Sequence, residues 1–296
     1  DSGPAGGVQG DNESRELVLQ DSVSVNQGIL EGGRLMLGTR YIDFNEETDE
    51  SLDENEWVSR LGLGYTPPAL PLTTFYGSFS ESFNTQSGTT ADGGSVGPSE
   101  GEQWELGVKS EILDGGLTLT LAYFQLENTN VAVADPNNPG ASLAVGRQEN
   151  DGVELEAVGN ITSNLQVQGQ YTRNDSVIRD DPQRQGNELQ LAPENSASLW
   201  LRYDVPERRV TGDLAVFGGL SHVGSRYTDI DNKIELDSYS RADLGARYTF
   251  MGGTSAELNV LNVLDERYFT GGNAFGLGSI TPGQARTVEV SVSHEF

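Results

Sequence analysis

The chain has 296 residues, enough for one large β domain or two smaller ones, and carries a formal net charge of −27 from 45 acidic and 18 basic side chains. That balance argues against a basic patch for nucleic acid, and the absence of cysteine excludes disulfides, thiolate metal sites and cysteine nucleophiles. Only 2 histidines are present, too few for a multi-histidine metal site, so no metal or other cofactor is expected. No stretch approaches the roughly 20 apolar residues of a membrane-spanning helix.

Read along the chain, the dominant pattern is alternation with a period of two, the side-chain period of a strand. Strands are expected near residues 15–25, 34–44, 56–65, 72–83, 102–112, 117–128, 144–160, 165–173, 195–204, 211–223, 239–250, 254–263 and 286–296. In the eighth of these, Leu165, Val167, Gly169 and Tyr171 oppose Gln166, Gln168, Gln170 and Thr172. The last strand sets Val288, Val290, Val292, His294 and Phe296 against Thr287, Glu289, Ser291, Ser293 and Glu295. One face is apolar and the other carries hydroxyls, amides or charges, as in a barrel wall with lipid outside and a polar lumen inside.

The connections sort themselves. Counted back from Phe296, long ones (265–285, 224–238, 174–194, 129–143, 84–101, 45–55) alternate with short ones (251–253, 205–209, 161–164, 113–116 and the segment around Pro67, Pro68 and Pro71). Short turns on one rim and long loops on the other are the asymmetry of outer-membrane barrels. The fold class is therefore expected to be all-β, an antiparallel transmembrane β-barrel with about thirteen strands present. Single-chain bacterial barrels close with an even number, and an open edge in lipid leaves backbone groups unpaired. A part of a larger barrel is the expectation, and a start at Asp1 without a signal segment fits it.

Several stretches resemble TonB-dependent outer-membrane receptors, in particular their ferric-siderophore branch. They are LVLQDSVSV (17–25), WVSRLGLGYTPPALPLTTFYGSFSESFNTQSG (57–88), EGEQWELGVKSEILDGGLTLTLAYFQLENTNVAVADP (100–136), ENDGVELEAVGNITSNLQVQGQYT (149–172), LAPENSASLWLRY (191–203), LNVLNVLDERYF (258–269) and PGQARTVEVSVSHEF (282–296). Ala285 stands where that family commonly has proline, and His294 where an aromatic is usual. The resemblance implies a barrel of twenty-two strands whose C-terminal part this chain supplies. It also implies a plug domain, here absent before Glu16, a bacterial outer-membrane location surrounded by lipid, and uptake of a ferric siderophore powered by the TonB complex acting through the missing N-terminal region. Cobalamin, haem and carbohydrate receptors share that fold, and the two histidines make haem the least attractive of these. A passive porin-like barrel of twelve or fourteen strands is the rival of another class.

Siderophore pockets in this family tend to be aromatic and partly basic. Tyr227, Tyr268, Phe269 and Phe275, in or beside long loops, are therefore the candidate ligand-binding residues. The competing role for Tyr227 and Tyr268 is the interfacial aromatic girdle. Arg202, Arg241 and Arg247 are expected on the lumen face, pairing with acids such as Asp243 or with the plug. Trp57, Trp104 and Trp200 read as wall or girdle residues. The stretch DIDNKIELD (229–237) alternates acids like a calcium loop but lacks the central glycine and the closing glutamate, so an acidic outer loop is expected. His222 has Ser221 and Ser225 close in sequence but no evident third partner, so no catalytic residues are expected and the chain is not read as an enzyme.

Overall fold

The structure is a computed structural model that describes residues 31–46, 52–206, 212–273 and 279–295. The expected strand at 15–25 lies outside the described residues. No described helix is long and apolar enough to cross a membrane.

The first eight strands are β1 (Gly33–Glu46), β2 (Leu52–Tyr65), β3 (Thr73–Asn84), β4 (Ser99–Ile112), β5 (Leu117–Ala134), β6 (Ser142–Thr162), β7 (Leu165–Asp180) and β8 (Asn195–Val205). They continue as β9 (Asp213–Val223), β10 (Arg226–Tyr227), β11 (Glu235–Leu236), β12 (Tyr239–Thr249), β13 (Thr254–Leu261), β14 (Phe269–Asn273), β15 (Ser279–Pro282) and β16 (Thr287–His294). Twelve of them form one antiparallel sheet in the order β1-β2-β3-β4-β5-β6-β7-β8-β9-β12-β13-β16, a meander in which each strand pairs with its sheet predecessor. Two ribbons, β10 with β11 and β14 with β15, sit within the long connections 224–238 and 262–286.

Cross-strand partners share a face of the sheet, so register decides what each face carries. Leu201, Gly218, Leu244, Val260 and Val288 form one row across five strands, and Tyr203, Val216, Ala246, Leu258 and Val290 the next. This face leaves Leu106 65%, Leu220 59% and Val290 72% exposed. A soluble monomer rarely exposes more than a few hundred Å² of contiguous apolar surface, so the solvent of this face is hydrocarbon. The opposite face carries Arg202, Phe217, Gly245, Asn259 and Glu289 in one row.

Aromatic side chains mark both borders of the apolar face. Towards the long connections, Trp57 packs on Tyr41 with ring centroids 5.0 Å apart and Trp104 on Phe79 at 4.5 Å. Towards the short turns, Tyr248 meets Phe250 edge-on at 4.6 Å, with Tyr65, Phe75 and Tyr203 on the same border. These amphipathic rings suit the headgroup level. Trp200 instead lies on the lumen face, seated on Gly219: a Cβ at that glycine would stand 2.7 Å from the indole.

Two connections expected to be long are mostly strand. β5 and β6 run on to Ala134 and from Ser142, and β1 and β2 to Glu46 and from Leu52, where 129–143 and 45–55 had been expected as loops. In the first case the register shifts between Asn128 and Val131, where Asn130 takes a left-handed φ of 55°, and pairing then resumes from Val131↔Gly146. β6 has 21 residues, about twice the 9–11 that cross a bilayer, so its upper half and those of its neighbours stand above the apolar belt. β7 likewise runs to Asp180, past its expected end at residue 173.

Candidate functional site

The candidate site is the rim formed by the connections 181–194, 224–238 and 262–286, all at the same end of the sheet. Each is fixed by polar contacts at its root.

Between the first two connections, Arg184 Nε donates to Asp231 Oδ1 at 2.6 Å and Asn187 Nδ2 to the Ile230 carbonyl at 3.0 Å. The Glu188 amide donates to Asn232 Oδ1 at 2.7 Å while Asn232 Nδ2 returns a bond to the Glu188 carbonyl at 3.0 Å. Gln190 Nε2 reaches the Thr228 carbonyl at 2.7 Å, and the Leu191 amide reaches the Tyr227 carbonyl at 2.8 Å. Within the stretch once compared with a calcium loop, the Asp229 carboxylate accepts from the Ile234 and Lys233 amides at 3.0 and 3.2 Å. Lys233 Nζ and Arg184 hold the Asp231 carboxyl below the usual carboxylate range. These acids are committed to the loop, and the described residues offer no group of three or more potential ligands placed to hold a metal ion. Glu188 moves the other way: burial, then the carboxylates of Glu235, Glu194 and Asp175, push its carboxyl up.

The third connection is closed at its neck by Asn262, which is 0% exposed. Its Nδ2 donates to the Glu266 and Gln284 carbonyls, both at 2.9 Å, and its Oδ1 accepts from the Glu266 amide at 2.9 Å. The Asn262 amide in turn donates to Asp243 Oδ1 at 2.7 Å, tying the neck to the wall. Asp243 pairs with Arg241 at 3.0 Å, and Arg241 Nη1 donates to the Tyr268 hydroxyl at 3.3 Å. The Tyr268 ring stacks on Tyr239 at 4.2 Å. Arg226 lies 5.6 Å from the Tyr239 ring centroid and donates to the carbonyls of Phe269 and Thr270 at 2.8 and 3.0 Å.

The four candidate aromatics thus occupy different environments. Tyr268 is buried, 7% exposed, inside this cluster. Phe269, its neighbour, is 48% exposed on the rim. Tyr227 is half-buried in β10, its carbonyl used by Leu191. Phe275 lies outside the described residues. Arg241 pairs with Asp243 as expected, Arg202 pairs with Asp204 at 2.9 Å, and Arg247 donates to Ser255 Oγ at 3.5 Å. Sequence reasoning missed Arg226 and Asn262. The only hint of Asn262 was its place in LNVLNVLDERYF, directly after an apolar strand; a single buried arginine in a polar loop gives no pattern at all.

His222 lies on the apolar face near the rim, its Nδ1 2.9 Å from Ser240 Oγ. Hydrolysis at a serine uses a base, a nucleophile and an orienting acid, and the hydrogen bond seen at His222 among the described residues is this one to Ser240.

Residues 2–263 match the family model described as TonB dependent receptor-like, beta-barrel. The metal-pseudopaline receptor of Pseudomonas aeruginosa (strain UCBPP-PA14) is 30% identical over 96% of this chain and 41% of its own length. The ferrioxamine B receptor of Salmonella typhimurium (strain SL1344) is 33% identical over 94% of this chain and 40% of its own. The crystal structure of the Pseudomonas aeruginosa outer-membrane ferripyoverdine receptor bound to ferripyoverdine superposes with a TM-score of 0.77 and 27% identity, covering 92% of this chain and 37% of that one. The chain therefore spans about two fifths of the length of the curated relatives it matches. It belongs to the TonB-dependent receptor-like β-barrel family of bacterial outer-membrane receptors.

Proposed function

We propose that this chain forms the C-terminal wall and outer loops of a receptor that takes up a ferric siderophore in a TonB-dependent step. The observation that carries the reading is the rim: three long connections tied into one frame above a lipid-facing wall, in a chain whose relatives are named for chelated metals. The rest of the polypeptide would supply the remaining strands of a twenty-two-stranded barrel, a plug in the lumen and the segment that meets TonB. Among the described residues β1 and β16 are the outermost strands of the sheet, which supports this, because a strand edge left unpaired in hydrocarbon costs several kcal/mol per backbone group.

In this reading Tyr227, Phe269 and Phe275 are the ligand-contacting candidates, and the buried Tyr268 anchors the chain at its neighbour Phe269. Aromatic surface beside arginine suits a chelate that is apolar on one side and anionic on the other. The protein is a receptor without catalysis. Membership in a family of outer-membrane receptors supports that reading.

The test is saturable binding of iron(III) complexes by the whole receptor, over a panel of hydroxamate, catecholate and mixed chelators. At least one should bind with saturation and support growth under iron limitation. Binding of none would refute the ligand class. Preference for a chelate loaded with another transition metal would transfer the reading towards the metal-pseudopaline relative.

A further inference from the structure

We infer that Arg226 is the positioning residue that joins the three rim connections into one preorganised wall, so that the mouth meets its ligand as a single body and not as separate loops. The inference deepens the receptor reading and rests on it for its consequence on binding, though not for its consequence on the loops.

The side chain of Arg226 is only 4% exposed although it lies in a long polar connection. Its guanidinium donates to three carbonyls: Gly224 on its own connection at 3.3 Å, and Phe269 and Thr270 on the next at 2.8 and 3.0 Å. The flat of the Tyr239 ring supplies a further electrostatic partner at 5.6 Å. Five donors in a rigid fork can satisfy several carbonyls at once, which an ammonium cannot do in the same geometry.

The position matters as much as the bonds. Phe269 and Thr270 open the β14–β15 ribbon, so Arg226 fixes the base of that ribbon and with it the exposed Phe269 ring. The next residue, Tyr227, receives the Leu191 amide, which carries the same restraint into the 181–194 connection. One side chain therefore stands between the two halves of the rim. Ordering the loops in advance removes an entropic penalty that a ligand would otherwise meet, and affinity gains accordingly.

The experiment compares Arg226→Ala, Arg226→Lys and the parent in the whole receptor by hydrogen exchange. In Arg226→Ala the amides of Leu191, Thr228 and Gly283 should exchange about tenfold faster together, while Val290 in the wall keeps its rate. Arg226→Lys should recover part of the protection. Binding of an iron(III) trihydroxamate and an iron(III) triscatecholate is measured alongside, and whichever complex the parent binds should dissociate about tenfold faster from Arg226→Ala. Unchanged exchange, faster exchange at one connection only, or equal acceleration of Val290 would each overturn the role given to Arg226. Failure of the parent to bind any complex would instead count against the receptor reading, with the exchange result still deciding the arginine.

Discussion

At Asn262 a left-handed backbone, φ 51°, and a fully enclosed amide meet in one residue. Alanine there would lose three hydrogen bonds and meet a steric penalty, and should lower the local opening free energy of the loop neck by about 2–4 kcal/mol. Glycine relieves the backbone but not the missing bonds, so Asn262→Gly should recover only about 1 kcal/mol of that loss. Hydrogen exchange at the Asp265 amide, whose acceptor is the Asn262 backbone carbonyl at 2.9 Å and so remains in both variants, reads the difference, and equal rates in the two variants would show that the backbone contributes nothing. Charge acts at the same scale. Asp231 titrates below its ordinary 3.8, so its contribution to loop stability is complete above that value and is lost as pH falls through the lower, folded one. Glu188 titrates above its ordinary 4.5, so its contribution is complete below 4.5 and is lost as pH rises through the higher value. Glu188→Gln should therefore slow proteolytic nicking within 181–194 at neutral pH and leave it unchanged at pH 4. A faster cut at neutral pH would contradict the assignment.

The strands test a different kind of statement, because in them the face decides what a substitution does. Val290→Arg puts a cation in the lipid-facing row and should destabilise the folded barrel by about 2–4 kcal/mol, whereas Ser291→Arg, one residue on and facing the lumen, should fall within about 1 kcal/mol of the parent. Denaturant titration of the whole receptor in lipid vesicles measures the difference, and similar losses at both positions would mean the faces are misassigned. Gly219→Ala would force its Cβ against the Trp200 indole and should cost about 1–3 kcal/mol by overpacking. The strands were legible because alternation is local: Leu244 and Leu258 announce their faces within their own segments. The tops of β5 and β6 were not. Past Asn128 only the short apolar stretch Val131–Ala134 lies between Thr129–Asn130 and the turn-rich Asp135–Gly140, so the segment resembles a loop, and only a partner strand in register across the bulge makes it wall.

For the whole molecule, the order of strands followed from the sorting of short and long connections, which is why a meander could be expected without any long-range contact. The rim could not be read in the same way. Arg226 meets Phe269 and Thr270 across the sequence, Arg184 meets Asp231, and neither spacing leaves a periodic trace. Tyr268 was singled out for its aromatic ring, and the packing that buries it between Tyr239 and Gly283 depends on where two loops cross. What unites all of these features is a sheet with one side in lipid and one in water. The chain has no cysteine of its own, so single cysteines placed in turn at residues 287–293 report each position once any cysteine in the rest of the receptor is replaced by serine. In the whole receptor, held in lipid bilayers, spin labels at 288, 290 and 292 should be relaxed by oxygen dissolved in the lipid, and labels at 289, 291 and 293 by a water-soluble nickel chelate. A profile without that two-residue alternation, or with every label open to the nickel chelate, would contradict the membrane wall from which the rest is built.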